Sequence, residues 1–150
     1  MGSINFQGRQ SWYSESGANV LISAPSDADD GEPGITTTTL TSNGSYTDSF
    51  GGTSSAAPLV SGVIALLLES KPALGWRDVQ EILIRSARKV DSANTGWITN
   101  AAGFHFHHSY GAAMVDAAAA VALAERPWVA TGREKVAAAL APAVAAEEVG

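Results

Sequence analysis

The stretch that most constrains this chain is residues 50–58, Phe-Gly-Gly-Thr-Ser-Ser-Ala-Ala-Pro, followed by residues 59–68, Leu-Val-Ser-Gly-Val-Ile-Ala-Leu-Leu-Leu. The first part is small, flexible and hydroxylated. The second is apolar on nearly every side. A helix that is apolar all round is expected to be buried in a large core or a membrane. The run falls short of the roughly 20 apolar residues that a bilayer requires. It therefore predicts a central core helix fed by a glycine-rich turn. Gly51 and Gly52 let the backbone turn sharply and let a substrate approach closely. Ser54 falls at the predicted helix start, where free N–H groups and the positive end of the helix dipole favour a developing negative charge. Pro58 suits an early helical position, where a missing N–H is tolerated. From these residues alone two readings stay open: a core helix capped by Ser or Thr, or a nucleophile carried on a tight turn.

The rest of the chain supplies a setting for that helix. Residues 19–24, Asn-Val-Leu-Ile-Ser-Ala, form a short continuous apolar run, as expected of a strand buried in a parallel sheet. Residues 35–40 are strand-like by β-branching, and Asn43-Gly44 is a hairpin turn signal. Residues 75–87 predict a second helix, with Val79, Ile82, Leu83 and Ile84 on its apolar side and Arg77, Asp78, Gln80, Glu81 and Arg85 on its polar side. Residues 105–110 read as a short extended stretch. Residues 116–125 predict a third helix, rich in alanine and suited to close packing.

Bulk properties narrow the function. With 150 residues, 45% of them hydrophobic and 16% charged, the chain is expected to fold as one domain. A net charge of −6 argues against nucleic-acid binding, which requires a basic face. The absence of cysteine removes disulfides from the account. Residues 1–10 lack the apolar stretch of a signal peptide and read as a polar start, and no segment is expected to span a membrane.

Gly52 to Pro58 matches G-T-S-x-A-x-P, which resembles the nucleophile signature of the subtilisin-like serine proteases (subtilases). It is not the G-x-S-x-G elbow, because Ala56 stands two residues after Ser54. Residues 72–80, Pro-Ala-Leu-Gly-Trp-Arg-Asp-Val-Gln, resemble the N-L-T-W-R-D-V-Q segment of the kexin/furin-like proprotein convertases. Tyr110-Gly111 and Val115-Asp116-Ala117 resemble that branch's Y-G-x-G-x-V-D-A, although Ala112-Ala113-Met114 departs from its glycine spacing. Phe50 stands where many convertases carry histidine. The resemblance spans roughly residues 10 to 125. It implies an α/β fold, the C-terminal half of a subtilisin-like parallel sheet flanked by helices. It also implies a serine endopeptidase cleaving after basic residues. Ser54 would be the nucleophile, and Gly52 and Thr53 would contact the substrate. Residues 1–125 would belong to the catalytic domain, and residues 126–150 would be a tail leading towards a P domain. The resemblance further implies a secreted or membrane-associated secretory parent.

The same resemblance gives Glu15 a meaning. Taken alone, it is a solvated loop carboxylate. In Trp12-Tyr13-Ser14-Glu15 it matches the W-Y-S-E glutamate that binds Ca2+ behind the pocket for the basic residue. Calcium takes six to eight oxygen ligands, so Glu15 would be one of several. The acidic loop with Asp27, Asp29, Asp30 and Glu32 lacks EF-hand spacing and reads as solvated charge. His105, His107 and His108 lack a zinc spacing and read as structural or surface residues. A nucleophilic serine needs a general base, yet no histidine precedes Ser54, whereas subtilases order their triad Asp, His, Ser. The expectation is that this chain is a catalytically incomplete piece whose partners are the N-terminal half of the domain and a peptide substrate. The alternative is a packing or binding module without catalysis.

Overall fold

The computed structural model describes residues 1–27, 33–40 and 45–126. Strand β1 (Gly2–Ile4) pairs in parallel with β2 (Ser23–Pro25), with Gly2 opposite Ser23 and Ile4 opposite Pro25. Ser23 also bridges Met114 in parallel, through Ser23 N–H to Ala113 O (2.9 Å) and Val115 N–H to Ser23 O (2.9 Å). β2 is thus the middle of a parallel arrangement. Parallel neighbours need long crossovers, and the chain between β2 and Met114 supplies two helices.

Helix α1 (Thr53–Ser70) contacts β1 and β2, and α3 (Ala117–Ala124) packs on both α1 and α2 (Trp76–Ser86). Their shared core joins Ile22 and Ala24 with Ala56, Val60, Val63 and Leu67 of α1 and Val79, Ile82 and Leu83 of α2. Ala120 and Ala124 of α3 complete it, and their small side chains let that helix approach closely. The α/β architecture expected from the sequence is the one observed.

Several local expectations are corrected. Residues 1–10 are not merely a polar start, because Gly2, Ser3 and Ile4 are all buried in β1. The apolar run of residues 19–24 is paired as a strand only at its end, in β2. Its earlier part is nonetheless buried at Val20 and Ile22. Carbonyls of that part accept bonds from two other segments, Gly2 N–H to Ile22 O at 2.9 Å and Ala112 N–H to Leu21 O at 2.8 Å. Asp78 is not a surface charge. It is 3% exposed and accepts the Gly75 N–H at 2.9 Å, closing the start of α2.

α1 differs most from expectation. Only one seam of it is buried, Ser55, Ala56, Val60, Val63 and Leu67, while Leu59, Leu66 and Leu68 are exposed. With 18 residues it is long and apolar enough to cross a membrane by length and composition. Its seam against the sheet and α3 marks it as a core helix. Pro58 lies in the second helical turn rather than the first, so the Ser54 carbonyl loses the N–H that would otherwise reach it from four residues on.

A hairpin of β3 (Ile35–Thr38) and β4 (Tyr46–Phe50) leads directly into α1, its strands antiparallel with Thr38 opposite Tyr46. The Asn43-Gly44 turn and the tail of residues 127–150 lie outside the described residues. A two-stranded pair, β5 (Ile98–Thr99) with β6 (His105–Phe106), precedes the return to Met114.

The two classes of α1 residue give a test. Leu67→Ala, at 0% exposure, should cost roughly 2–5 kcal/mol in urea unfolding. Leu66→Ala, at 49% exposure, should stay within about 0.5 kcal/mol of the parent. Equal losses would mean that the buried seam is misassigned.

Candidate active site

The site is built where β4 ends. Gly52 is the N-cap of α1 with φ +77°, a left-handed conformation that glycine adopts without a Cβ clash. Thr53 and Ser54 are therefore the first and second helical residues, both exposed. Neither caps the helix, since the cap residue is Gly52 and no side-chain cap bond is made. The capped-helix reading of this serine is thereby corrected. The Ser54 hydroxyl has no hydrogen-bond partner among the described residues, and its N–H is one of the helix-start donors with no intrahelical acceptor.

The Gly52 peptide is held from both sides by the loop ending at Asp27. Its N–H donates to Asp27 Oδ1 at 3.0 Å and to the Tyr13 hydroxyl at 3.2 Å. Its carbonyl accepts the Ser55 N–H at 3.0 Å and the Ser26 hydroxyl at 2.8 Å. The hydroxyl of the buried Ser55 meets that of Ser26 at 2.7 Å. Tyr13 donates to the Asp27 carboxylate. The Tyr13 hydroxyl holds the Asp27 carboxyl below the usual carboxylate range, with partial burial opposing and the Gly52 N–H assisting. Asp27 is thus not free charge in a solvated loop. Nothing in the sequence signalled that Tyr13, Ser26 and Ser55 meet at Gly52, because residues far apart in the chain reveal a shared partner only once folded.

Glu15 lies two residues beyond Tyr13 and is exposed, with no hydrogen bond or ion pair among the described residues. Among the described residues no group of three His, Asp or Glu side chains could hold a metal ion. Glu15 suits calcium in kind, as a carboxylate, but these residues do not fit a calcium site in number.

The histidines are brought elsewhere. His107, buried, accepts the Ser109 N–H on Nδ1 at 2.9 Å, so its proton sits on Nε2, 3.1 Å from Asn94 Oδ1. Asn94 and Tyr110 both donate to Asp91 Oδ2, at 3.0 and 2.9 Å, and Trp97 stacks on Tyr110. Tyr110 also accepts the Gln10 N–H at 3.1 Å, and Ser16 meets Ser109 at 2.9 Å. This cluster thus anchors the loop that carries Tyr13 and Glu15. Ser54 does not line the cleft of about 640 Å³ between Val20, Leu21, Trp76, Ile84 and Phe104.

The subtilase family (Peptidase_S8) matches residues 1–113, and the chain belongs to that family. Its relatives include furin-1 of Xenopus laevis, 38% identical over 135 residues. Another is human proprotein convertase subtilisin/kexin type 5, 40% identical over 129 residues. These alignments take in 90% and 86% of this chain but only 17% and 7% of those proteins. The crystal structure of a serine protease of Aeromonas sobria superposes with a TM-score of 0.81 at 28% identity, covering 88% of this chain and 30% of that one.

Burial holds the His107 pKa below its ordinary value of 6.5, with the Asp91 charge opposing and His108 adding to the shift. The folded state therefore favours neutral His107. Its stabilisation is present above about pH 6.5 and is lost as pH falls through the depressed folded value. The urea midpoint should drop between pH 7.5 and pH 5.5, and His107→Gln should flatten that slope. An unchanged slope in the variant would remove His107 as its source.

Proposed function

We propose that this chain is the C-terminal part of the catalytic domain of a calcium-dependent serine endopeptidase of the kexin-like branch, cleaving after basic residues. Ser54 is the nucleophile. The observation that carries this reading is an exposed, uncapped serine at the start of a core helix, directly after a left-handed glycine and a threonine, in a chain of the subtilase family. Residues 1–125 form the catalytic part, and residues 126–150 form the tail towards a P domain.

The geometry supports the following chemistry. Ser54 Oγ attacks the scissile carbonyl, and the Ser54 N–H at the positive end of α1 helps to stabilise the oxyanion. Gly52 and Thr53 border the substrate backbone, where the missing Gly52 side chain leaves room. A serine hydroxyl is a weak nucleophile without a base. No histidine precedes Ser54, and the buried His107 is engaged by Ser109 and Asn94. The general base, the aspartate that orients it and the oxyanion asparagine are therefore assigned to the N-terminal half of the domain, the chain's principal partner. The exposed Leu59, Leu66 and Leu68 of α1 support such a partner, because a core helix does not ordinarily leave three leucines uncovered. Glu15 supplies one carboxylate ligand to a calcium site completed by that half, and the ion would stabilise the pocket for the basic side chain.

Treating the 150-residue chain and the complete enzyme side by side with a serine-reactive phosphonate tests the assignment. Ser54 should be labelled in the complete enzyme and not in the chain alone, and Ser54→Ala should abolish both labelling and proteolysis. The expected difference is large: in subtilisin, a member of the same family, loss of the catalytic histidine alone lowers kcat by a factor of about 2 × 10⁶. Specific labelling of the short chain would mean that it carries its own base. Separately, Glu15→Gln in the complete enzyme should weaken calcium binding in titration calorimetry. An unaltered isotherm would remove Glu15 from the ligand set.

A further inference from the structure

We propose that Tyr13, Ser26 and Asp27 form a clamp on the Gly52 peptide that positions Ser54, with Asp27 as its principal positioning residue. This rests on the reading of Ser54 as the nucleophile. The need for such a device follows from the turn itself. The first turn of α1 has no side-chain cap, and Pro58 removes the intrahelical donor to the Ser54 carbonyl. Gly52 sits in a left-handed conformation with no Cβ to restrict it. Within the turn, Ser55 bonds only the Gly52 carbonyl, through its N–H and its hydroxyl, both at 3.0 Å, so the restraint on the Gly52 N–H comes from outside it.

The clamp grips both polar groups of Gly52. Asp27 and Tyr13 take the Gly52 N–H, and Ser26 takes its carbonyl. The jaws are rooted in the sheet, since the Ser26 N–H donates to Ile4 O of β1 at 2.7 Å. Ser11, itself buried, donates its hydroxyl to the Asp27 carbonyl at 2.5 Å. The fit is tight at Gly51, where an added Cβ would overlap the Asp27 carboxylate. The parallel pairing of β1 and β2 is thereby transmitted through Ser26 and Asp27 to Gly52, and from there to a hydroxyl two residues on. Asp27 touches no reacting atom in this arrangement, and its effect is exerted through Gly52.

Three variants of the full 150-residue chain test this: Asp27→Ala, Asp27→Asn and Gly51→Ala. Amide exchange by mass spectrometry over residues 51–57 reports on the Ser55 N–H that closes onto Gly52, and a [15N]glycine spectrum reports on the Gly52 amide. Asp27→Ala should speed exchange in that segment on the order of 10- to 100-fold, the equilibrium equivalent of one hydrogen bond to a charged group. Gly51→Ala should do the same by displacing the carboxylate. Asp27→Asn keeps an acceptor oxygen and should recover most of the protection and the Gly52 resonance position. Parent-like exchange in Asp27→Ala, or an Asn variant as loose as the Ala variant, overturns the clamp. If Asp27→Ala fails to fold, Gly51→Ala against Asp27→Asn still decides it. In the complete enzyme, phosphonate labelling of Ser54 should slow on the order of 10²-fold in Asp27→Ala and recover in Asp27→Asn. Absence of labelling in the unmutated enzyme would overturn Ser54 as nucleophile, while the exchange data would still decide whether Gly52 is clamped.

Discussion

The structure depends on the burial of one seam of α1. Ala56, Val60, Val63 and Leu67 lie against Ile22 and Ala24 and against the alanines of α3. At about 1.5 Å of rise per residue this seam runs for roughly 16 Å, long enough to fix the helix axis. Fixing the axis also fixes where the first turn of the helix emerges. Ala56, at the N-terminal end of the seam, is fully buried, and Ser54, two residues earlier, is exposed. The same packing that stabilises the core thus delivers a hydroxyl to the surface at the positive end of a helix.

Around that emergence point the chain divides its polar groups between two tasks. Tyr13, Ser26, Asp27 and Ser55 converge on one glycine and restrain the turn before Ser54. Asp91, Asn94, His107 and Tyr110 form a second network that holds the loop of residues 10–17 from behind, through Gln10 and Ser16. The loop carrying Tyr13 and Glu15 is therefore pinned at both ends. A rigid support of this kind suits a candidate nucleophile that sits on a turn. It also explains why His107, a residue type often suspected of catalysis, is occupied structurally here.

Membership of the subtilase family gives these observations a common frame. The match runs from residue 1 to residue 113, which takes in β1, the residues around Gly52, the Ser54 turn, α1, α2 and the return segment at Ala113. The relatives are far longer than this chain, which spans 17% of the Xenopus furin. Leu59, Leu66 and Leu68 of α1 and Glu15 are all exposed on this chain.

By itself, the sequence determined the helices and the candidate nucleophile. The second and third helices were legible within a residue or two, because one shows an apolar and a polar side and the other is a run rich in alanine. Ser54 was legible because seven residues in fixed order, Gly52 to Pro58, carry its turn. Only the tertiary structure decided which face of α1 is buried, since an almost uniformly apolar run contains no periodicity from which a buried side could be read. It alone assigned β1, whose three residues carry too little strand signal and are ordered by pairing with β2. It alone turned Asp27 from a member of an acidic run into the acceptor for Gly52, and Asp78 from a surface charge into a buried helix-start acceptor. The physical reason is the same in each case: a hydrogen bond or a buried face is a relation between two parts of the chain, and the residue alone specifies only one of them.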